Sequence, residues 1–423
     1  MEKEKKRKNH KVWHVIRNIL CVILCLVLFI VLLSAIGSPI AVNSVKKKAA
    51  SYSKVKYSSQ LVPEKDTDGY WTFTTDRNFK ILQLADIHLG SGVTSSGKDK
   101  KAINAIATMI TKEKPDLVIF TGDQAYALPH ASLTLNNKSA YKELCTLMES
   151  LGVYWTFVFG NHDTEKFDFY SREDIADYCA QYKHCLIQKG PSCADGCGNT
   201  VIKIKNSKGI VTQALVLIDS HSYDKADIFG VAWSYDNIHE NQIQWYKKQI
   251  KLISAENKKI SSDAGTVSSL MFFHIPLTEY LDAWKEFKAA GYKDTDNVKY
   301  VSGILGETGR LVYCGSGTDD MFETICALGS TKAIFCGHDH YNDFTLNYKG
   351  IDLVYGMSVD YLAYPGISKE GSQRGCTVIT SRPDSSFCIS KYNYYSDRYK
   401  LKGFTRETDV TMQFADVKYQ REK

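Results

Sequence analysis

The sequence predicts an α/β fold in which two β-sheets are flanked by helices, preceded by one transmembrane helix. Three patterns predict it: an N-terminal apolar stretch, a long region where short apolar segments alternate with amphipathic ones, and a final run of apolar segments without helices between them. The chain has 423 residues, of which 44% are hydrophobic and 24% charged. It is therefore long and apolar enough to bury a large core.

The first element is an apolar stretch from Ile19 to Ile36, in which Ser34 alone breaks the apolar series. As a helix with a rise of ~1.5 Å per residue, this stretch nearly crosses a ~30 Å hydrocarbon core, and residues 40–42 can extend it. A helix on the surface of a soluble core keeps one polar face, and this stretch has none. We predict a transmembrane anchor over residues 19–42.

The charges around the anchor predict its orientation. Residues 1–18 form a basic tail that carries seven Lys and Arg against two Glu. The positive-inside bias therefore predicts a single-pass protein with a cytoplasmic N-terminus and an extracytoplasmic domain. The alternative is a cleaved signal peptide and a secreted domain, because Ala35 and Gly37 are small, although signal peptides usually have shorter apolar regions.

The formal net charge of +6 comes from the N-terminal region. Residues 1–48 hold ten Lys and Arg but two acidic residues, so the rest of the chain is slightly acidic. A nucleic-acid-binding domain usually has its basic excess in the folded part. We therefore expect no nucleic-acid partner, and we expect membrane lipid to be the partner of the N-terminal helix.

The folded domain follows a polar segment. Residues 43–77 are weakly periodic, so we predict a stalk and entry segment there, a domain over 78–400 and a C-terminal tail over 401–423. The first part of the domain alternates strands and helices, which predicts a largely parallel sheet with helical crossovers. The predicted strands span 80–85, 116–120 and 154–159, and the predicted helices span 100–112, 139–151 and 172–182.

The middle of the domain continues the pattern, and its end differs. We predict a hairpin of 200–205 and 210–219, helices over 241–254, 279–290 and 319–328, and strands over 270–273 and 332–336. The last predicted strands, over 343–348, 351–355, 376–380 and 387–394, have no helices between them. They predict a second, largely antiparallel sheet packed on the first. The glycine-rich stretch 291–318 has no clear element, and is either a binding loop or a surface insertion.

The cysteines beyond the anchor fit an extracytoplasmic domain that contains disulfides. Cys193 and Cys197, in a glycine-rich loop, are the strongest candidates for a local pair.

Five short segments place metal-binding residue types directly after predicted strands. They are Asp86-Ile87-His88, Gly122-Asp123, Gly160-Asn161-His162-Asp163, Phe273-His274-Ile275-Pro276 and Gly337-His338-Asp339-His340. In α/β folds the carboxyl ends of the strands gather the active-site residues. One such segment alone is weak evidence, because a single His or Asp after a strand is usually a cap or a surface group. Five in order predict a site, with His221 as a further candidate pocket residue.

This arrangement resembles the calcineurin-like metallophosphoesterase family, whose pattern is D-x-H, G-D, G-N-H-D, H and G-H-x-H. The resemblance covers residues 80–395 and is strongest to the purple-acid-phosphatase-related branch, through Phe273 to Pro276 and Gly337 to Phe344. It implies the metallophosphoesterase-like four-layer fold, a two-sheet sandwich flanked by helices.

The resemblance also implies a ligand set for two transition metal ions. Asp86, His88 and His340 would hold one ion, Asn161, His274 and His338 the other, and Asp123 would bridge both. Two cations ~3.5–4 Å apart need a shared anionic ligand, which an Asp carboxylate can supply. The mixture of imidazole, amide and carboxylate ligands suits divalent or mixed-valence Fe, Mn or Zn.

The resemblance further implies a phosphate ester hydrolase that uses a hydroxide bridging the metals. His162 would be the general acid at the leaving oxygen, and Asp163 would orient it. Purple acid phosphatases proper have D-x-G and a tyrosine ligand, whereas this chain has both His88 and Tyr126. We expect His88 to be the ligand and Tyr126 to line the site, which predicts no tyrosinate-to-iron colour.

Three functions remain open at this point. The first is an outward-facing, membrane-anchored hydrolase of phosphate esters. The second is a phosphodiesterase for nucleotides or phospholipids, and the third is a non-catalytic receptor that kept the fold. The complete ligand set speaks against the third.

Overall fold

The computed structural model describes residues 2–307, 309–364, 367, 374–406 and 417–421, with the backbone alone described for 2–9 and 417–421. The strands in chain order are β1 Glu64–Lys65, β2 Trp71–Thr74, β3 Phe79–Leu84, β4 Leu117–Thr121, β5 Trp155–Val158, β6 Thr200–Lys205, β7 Val211–Leu217, β8 Ser269–Phe272, β9 Val298–Ser302, β10 Thr331–Cys336, β11 Thr345–Tyr348, β12 Ile351–Tyr355, β13 Gly375–Ser381, β14 Phe387–Asn393 and β15 Val417–Arg421. The helices are α1 Glu2–Leu32, α2 Ser38–Ala49, α3 Ser96–Glu113, α4 Pro129–Ser132, α5 Lys138–Leu151, α6 Arg172–Cys179, α7 Glu240–Ile260, α8 Thr278–Ala289 and α9 Met321–Leu328.

The strands form two mixed sheets. One has the order β1-β2-β6-β7-β8-β10-β12-β11-β9, and the other has the order β15-β14-β13-β3-β4-β5. In the first sheet β7, β8, β10 and β12 run parallel, and in the second β3, β4 and β5 do. These seven strands bring their carboxyl ends to one edge of the molecule, which we call the C-edge.

The two sheets pack face to face, and helices cover both outer faces. Alternate residues of a strand point to opposite faces, so Ile81 of β3 packs between the sheets while Leu82 packs towards the helices. Helices α2, α3 and α5 cover the smaller sheet, and α7, α8 and α9 cover the larger one. The predicted two-sheet sandwich flanked by helices is confirmed.

The allocation of the last strands differs from the prediction. They were expected to form one separate sheet, but β11 and β12 join the larger sheet, and β13 and β14 pair through β13 with β3 of the smaller one. Strand order depends on which edges the chain reaches, and periodicity does not record that. The glycine-rich stretch 291–318 also contributes the edge strand β9, which pairs with β11.

The N-terminal helix continues into the domain. A π-helical turn over Leu33–Gly37 links α1 to α2, and α2 packs against α3 and α5 with Val42, Val45 and Ala49 buried. Residues 43–49, predicted as part of a stalk, therefore lie on the domain surface as helix. In the described part of the chain, one helix, His10–Ala49, is long and apolar enough to cross a membrane.

The expected local disulfide is not formed in the described structure. Cys193 and Cys197 are both free thiols, the first exposed and the second buried.

Candidate metal centre

The predicted ligands meet at the C-edge, where both sheets contribute. Asp86 and His88 follow β3, Asp123 follows β4, Asn161 follows β5, His274 follows β8, and His338 and His340 follow β10. The backbone turns sharply at several of these positions. Four of the predicted ligands have a positive φ: Asp86 at 50°, His88 at 52°, Asp123 at 53° and His338 at 80°. Such strain in residues other than glycine concentrates at functional sites, because it aims side chains that a regular strand end would not.

Asp123 lies at the centre of the cluster. Its Oδ2 is 3.4 Å from His88 Nε2 and 3.2 Å from His274 Nε2. Two groups of ligand atoms, each within 4.8 Å of one another, contain this residue. One is His88, Asp123 and His340, and the other is Asp123, His274 and His338. A carboxylate shared by two such groups is the arrangement that a binuclear site requires.

Asp86 lies beside His340 of the first group. Asp86 Oδ1 accepts a hydrogen bond from the His338 N–H at 2.9 Å and lies 3.6 Å from His340 Nε2. Its Oδ2 is buried and has no hydrogen-bond partner among the described residues. The same holds for both ring nitrogens of His88, for His338 Nε2 and for Asp123 Oδ2. Buried polar atoms are costly when unpaired, and all of these are metal-binding atoms, so the residues fit two cations.

Asn161 lies beside His274 of the second group. Asn161 Oδ1 is 3.1 Å from His274 Nε2, and its Nδ2 donates to the Tyr223 hydroxyl at 3.0 Å, which fixes the amide orientation. His274 Nδ1 is 2.9 Å from the carbonyl oxygen of Thr121. Nδ1 therefore carries the proton and the Nε2 lone pair points towards Asp123, as a metal ligand needs.

The electrostatics of the cluster favour cations. Burial disfavours the charged form of Asp123, but the His274 and His162 imidazoles hold its pKa well below its usual value. Burial also opposes protonation of His88, yet the carboxylates of Asp360 and Asp123 raise its pKa to about 9. These carboxylates strongly stabilise positive charge on the neighbouring imidazoles. They would stabilise metal ions bound in place of those protons in the same way.

Asp360 is a site residue that the sequence analysis missed. Its carboxylate is fully buried, and Oδ2 lies 3.4 Å from His340 Nδ1. Although burial opposes ionisation, His88 and His340 lower the pKa of Asp360 to about 2. A carboxylate behind a ligating histidine orients the ring and increases its basicity. The sequence signal was an Asp just after β12, a strand that runs parallel to β10. The sequence analysis had placed β12 in a separate sheet.

His162 lines the cleft beside Asp123. Its backbone N–H donates to Asp123 Oδ1 at 2.8 Å, and its Nδ1 is 2.7 Å from Glu165 Oε1. The expected contact with Asp163 is absent from the described hydrogen bonds. The sequence signal for Glu165 was its position three residues after His162, because a turn at that spacing brings the acid back to the histidine.

Asp163 has another position. It is fully buried and accepts backbone N–H groups from Gly160 at 2.7 Å, Ala125 at 2.8 Å and Asp123 at 3.0 Å. It therefore ties the loop after β5 to the loop after β4. Two glycines allow the same loops to approach. A Cβ on Gly122 would lie 2.1 Å from His274 Nδ1, and one on Gly160 would lie 2.2 Å from Asp123 Oδ1.

Tyr126 packs edge-on against two histidines of the site. Its ring centroid is 5.0 Å from those of His88 and His162. Burial, followed by the Asp360 carboxylate, raises its pKa to about 12, so the phenol is neutral. His221, the other candidate, lies outside the cleft lining. Its ring stacks on His239 at 4.0 Å, and its Nε2 is 2.9 Å from Gln242 Oε1.

The cleft above the cluster is small and aromatic, with a volume of about 110 Å³. The residues that line it are Asp123, His162, Trp233, Tyr235, Glu307, Tyr313, His338, Asp339, His340 and Tyr364. Glu307 and Tyr313 come from the glycine-rich stretch 291–318, which therefore contributes to the cleft. Ordinary ligand pockets measure ~300–1,000 Å³. The cleft above the cluster is therefore smaller than an ordinary ligand pocket.

Comparison with known proteins agrees with this geometry. The family model of the calcineurin-like phosphoesterases matches residues 79–342. Probable inactive purple acid phosphatase 29 of Arabidopsis thaliana is 28% identical over 325 residues, which cover 73% of this chain and 77% of the relative. Probable inactive purple acid phosphatase 14 of the same plant is 31% identical, over 69% of this chain and 73% of the relative. Phosphatase DCR2 of Saccharomyces cerevisiae is 28% identical, over 64% of this chain and 46% of the relative.

Proposed function

We propose that this chain, which belongs to the calcineurin-like phosphoesterase family and is a phosphoric ester hydrolase, works with two transition metal ions while anchored in a membrane with its catalytic domain outside the cytoplasm. The observation that carries the metal assignment is the position of Asp123, which both groups of ligand atoms share. Asp86, His88 and His340 would hold one ion, and Asn161, His274 and His338 the other. When bound, the two ions supply Lewis-acid chemistry, neutralising charge on the phosphoryl oxygens and activating water.

The protein itself supplies proton transfer and orientation. Glu165 Oε1 lies 2.7 Å from His162 Nδ1, so in the protonated ring Nδ1–H donates to Glu165 and Nε2–H carries the proton that a departing alkoxide takes up. The backbone N–H of His162 donates to Asp123 Oδ1, so the same loop fixes the acid and the shared carboxylate. Asp163 keeps that loop in place through the three backbone N–H groups it accepts. His162 is therefore the catalytic residue, and Glu165 and Asp163 are positioning residues.

The anchor supports the cellular placement. The apolar helix is exposed along its length, with 6% of its most apolar window buried, and its basic tail predicts a cytoplasmic N-terminus. Protease added to intact cells should digest the domain after residue 42. Protection of that region, with digestion after the membrane is opened, would overturn the orientation.

A non-catalytic role is the second candidate, because two relatives have names that call them probably inactive. The test is metal analysis of the purified full-length chain together with hydrolysis of para-nitrophenyl phosphate and of the matching diester. About two transition metals per chain with turnover support the hydrolase, and the preferred ester separates phosphatase from phosphodiesterase. Two metals without turnover of either ester would favour the binding role. Asn161→Ala should lose metal and turnover together, whereas His162→Ala should lose turnover and keep both metals.

A further inference from the structure

The anchor joins the domain beside the metal centre. Ser34, near the end of the apolar stretch, accepts a hydrogen bond from the Leu135 N–H at 3.1 Å. Gly37 lies close to Val93, since a Cβ added to Gly37 would be 2.7 Å from the Val93 side chain. Val93 belongs to the loop after β3 that carries His88, and Leu135 belongs to the loop after β4. The junction is therefore at the C-edge.

Helix α2 then runs away from that edge along the domain. It lies on α5, which begins near the C-edge and ends at Leu151, before β5. Just beyond α2, the Val55 N–H donates to the Leu151 carbonyl at 2.9 Å, and Lys54 contacts Gly152. The chain thus travels from the C-edge to the opposite edge as it passes from α2 to Val55. In the reverse direction, α1 leaves the domain from the side where the metal centre lies.

No spacer separates the apolar stretch from the domain. The stretch needs all its residues to Ile36 to cross a ~30 Å core, yet Ser34 is already buried against the domain. On the helix face turned away from the domain, Ile36 and Ile40 are 62% and 72% exposed. The domain surface therefore begins where the hydrocarbon ends, and the C-edge is held against the bilayer.

The C-edge carries exposed apolar side chains suited to that position. They lie on the loops after β3 (Val93), β5 (Phe167 and Phe169), β7 (Ile228 to Trp233) and β12 (Tyr364). Phe169 is next to the anchor, because its N–H donates to the carbonyl of Leu135 at 3.0 Å. Large apolar side chains grouped on one face of a soluble domain mark a contact surface.

The loop after β7 is built to present its apolar side chains. Asp227 accepts the backbone N–H groups of Val231, Ala232 and Ser234 at 2.8, 2.9 and 3.1 Å, which fixes the turn. Val231 at its tip is 81% exposed, and Trp233 at its base lines the catalytic cleft. The loop thus links the exposed apolar surface directly to the cleft.

We propose that the mouth of the catalytic cleft faces the bilayer that holds the anchor, that the loop Asp227–Ser234 inserts into the bilayer surface, and that the substrates are phosphate esters carried on lipid headgroups. This inference rests on the proposed function for its chemistry and for the membrane anchor, whereas the direction of the cleft is argued from the anchor junction and from the exposed apolar side chains of the C-edge. A lipid phosphate at that surface lies directly below the cleft, whereas a soluble ester must enter from the side.

The geometry is tested first, without reference to activity. The full-length chain is placed in lipid nanodiscs made with ordinary or brominated acyl chains, and the fluorescence of Trp233 is taken as the difference between the wild type and Trp233→Phe. Bromine quenches indoles that lie within the bilayer, so we expect the Trp233 signal to fall at least twofold in brominated discs. An unchanged signal would overturn the proposed orientation.

The substrate class is tested with two esters and a matched control. Phosphatidic acid in the same nanodisc is the lipid substrate, and para-nitrophenyl phosphate is the soluble one. Val231→Asp places a charge at the loop tip, so we expect lipid hydrolysis to fall at least tenfold while soluble turnover stays within twofold. The control is Val62→Asp. Val62 is 65% exposed and lies at the opposite edge, near Gln60, which donates to the carbonyl of Gly152. We expect this change to affect neither reaction.

The outcomes separate the two proposals. Equal loss of both reactions in Val231→Asp, or turnover of the soluble ester without any turnover of phosphatidic acid, would overturn the lipid assignment and leave the hydrolase intact. If the wild type with two bound metals hydrolyses neither ester, the proposed function and the substrate class fail together. The quenching result would then still decide where the cleft faces.

Discussion

Glu165 Oε1 lies 2.7 Å from His162 Nδ1, so the partner of the proposed catalytic histidine is the acid three residues further along the chain and not its neighbour Asp163. The Tyr223 hydroxyl also donates to this carboxylate oxygen, at 3.3 Å, and the same hydroxyl accepts from Asn161. One small network therefore links His162 to Asn161, a proposed ligand of the second metal group. The ring orientation depends on this network and is sensitive to its loss.

The first prediction concerns that contact. Glu165→Ala should lower kcat by ~10–100-fold, because the His162 ring loses the carboxylate that orients its Nε2–H towards the leaving oxygen, while both metals stay bound. Steady-state kinetics and metal analysis of the same sample measure this, and Glu165→Gln should recover part of the rate because its amide oxygen still accepts the Nδ1 proton.

A second His–Glu pair offers a matched control. His184 Nδ1 is 2.8 Å from Glu149 Oε2, and Glu149 is near the end of α5, far from the C-edge. Glu149→Ala should therefore leave kcat unchanged. Loss of metal in Glu165→Ala, or an unchanged rate, would show that Glu165 does not act through His162.

The second prediction separates a steric effect from backbone strain. Gly122 and Gly350 have φ of 88° and 86°, but a Cβ on Gly122 would lie 2.1 Å from His274 Nδ1, whereas one on Gly350 would meet nothing within 4 Å. Gly350→Ala should cost about 1 kcal/mol of stability and leave metal content unchanged. Gly122→Ala should in addition displace His274 and lose metal.

Thermal unfolding and metal analysis of the two glycine variants provide the comparison. If Gly122→Ala keeps two metals per chain and differs from Gly350→Ala by less than about 0.5 kcal/mol, then close approach to His274 is not what that position requires.

The sequence was informative where the signal is local. Asp123, Asn161 and His338 each stand directly after an apolar strand, so their meeting at one edge follows from strand polarity. Asp360 was missed because the strand before it, β12, was assigned to a different sheet, and pairing between distant strands leaves no local signal. The docking of α2 did leave a local signal, because Val42, Val45 and Ala49 have helical spacing. The polar residues between them led instead to the prediction of a stalk.

The third prediction concerns Asp360. Asp360→Asn should weaken metal binding by ~10–100-fold at the site that contains His340, because the amide cannot supply the negative charge behind the ring. Calorimetric titration of the metal-free protein with Zn²⁺ measures the affinity of each binding step and does not depend on turnover. One of the two binding steps should weaken and the other should remain.

The control for this variant is a buried carboxylate on β12, the strand that precedes Asp360. Asp352 of β12 accepts from Asn347 Nδ2 at 2.6 Å and lies at the other end of the strand from the site. Asp352→Asn should leave both binding steps as in the wild type. Equal weakening of both steps in Asp360→Asn would point to general destabilisation and contradict a specific role at His340.

The fourth prediction is a pH dependence of stability that arises at Glu143, where α5 meets α2 and the loop after β3. Burial, and then the Asp99 carboxylate, raise the pKa of Glu143 well above its ordinary value of 4.5. The folded state therefore keeps a proton that the unfolded chain releases as the pH rises past that value. Stability should fall with rising pH over this window, by at most about 1.4 kcal/mol per pH unit.

Glu143→Gln has no titrating proton and has nearly the same shape, so its melting temperature should fall less than that of the wild type between pH 5 and 7. Because both proteins have the same metal ligands, metal loss at low pH cancels in the difference between the two curves. Parallel curves would mean that Glu143 has the same pKa in the folded and unfolded states, and that its burial next to the anchor helix has no effect on its charge.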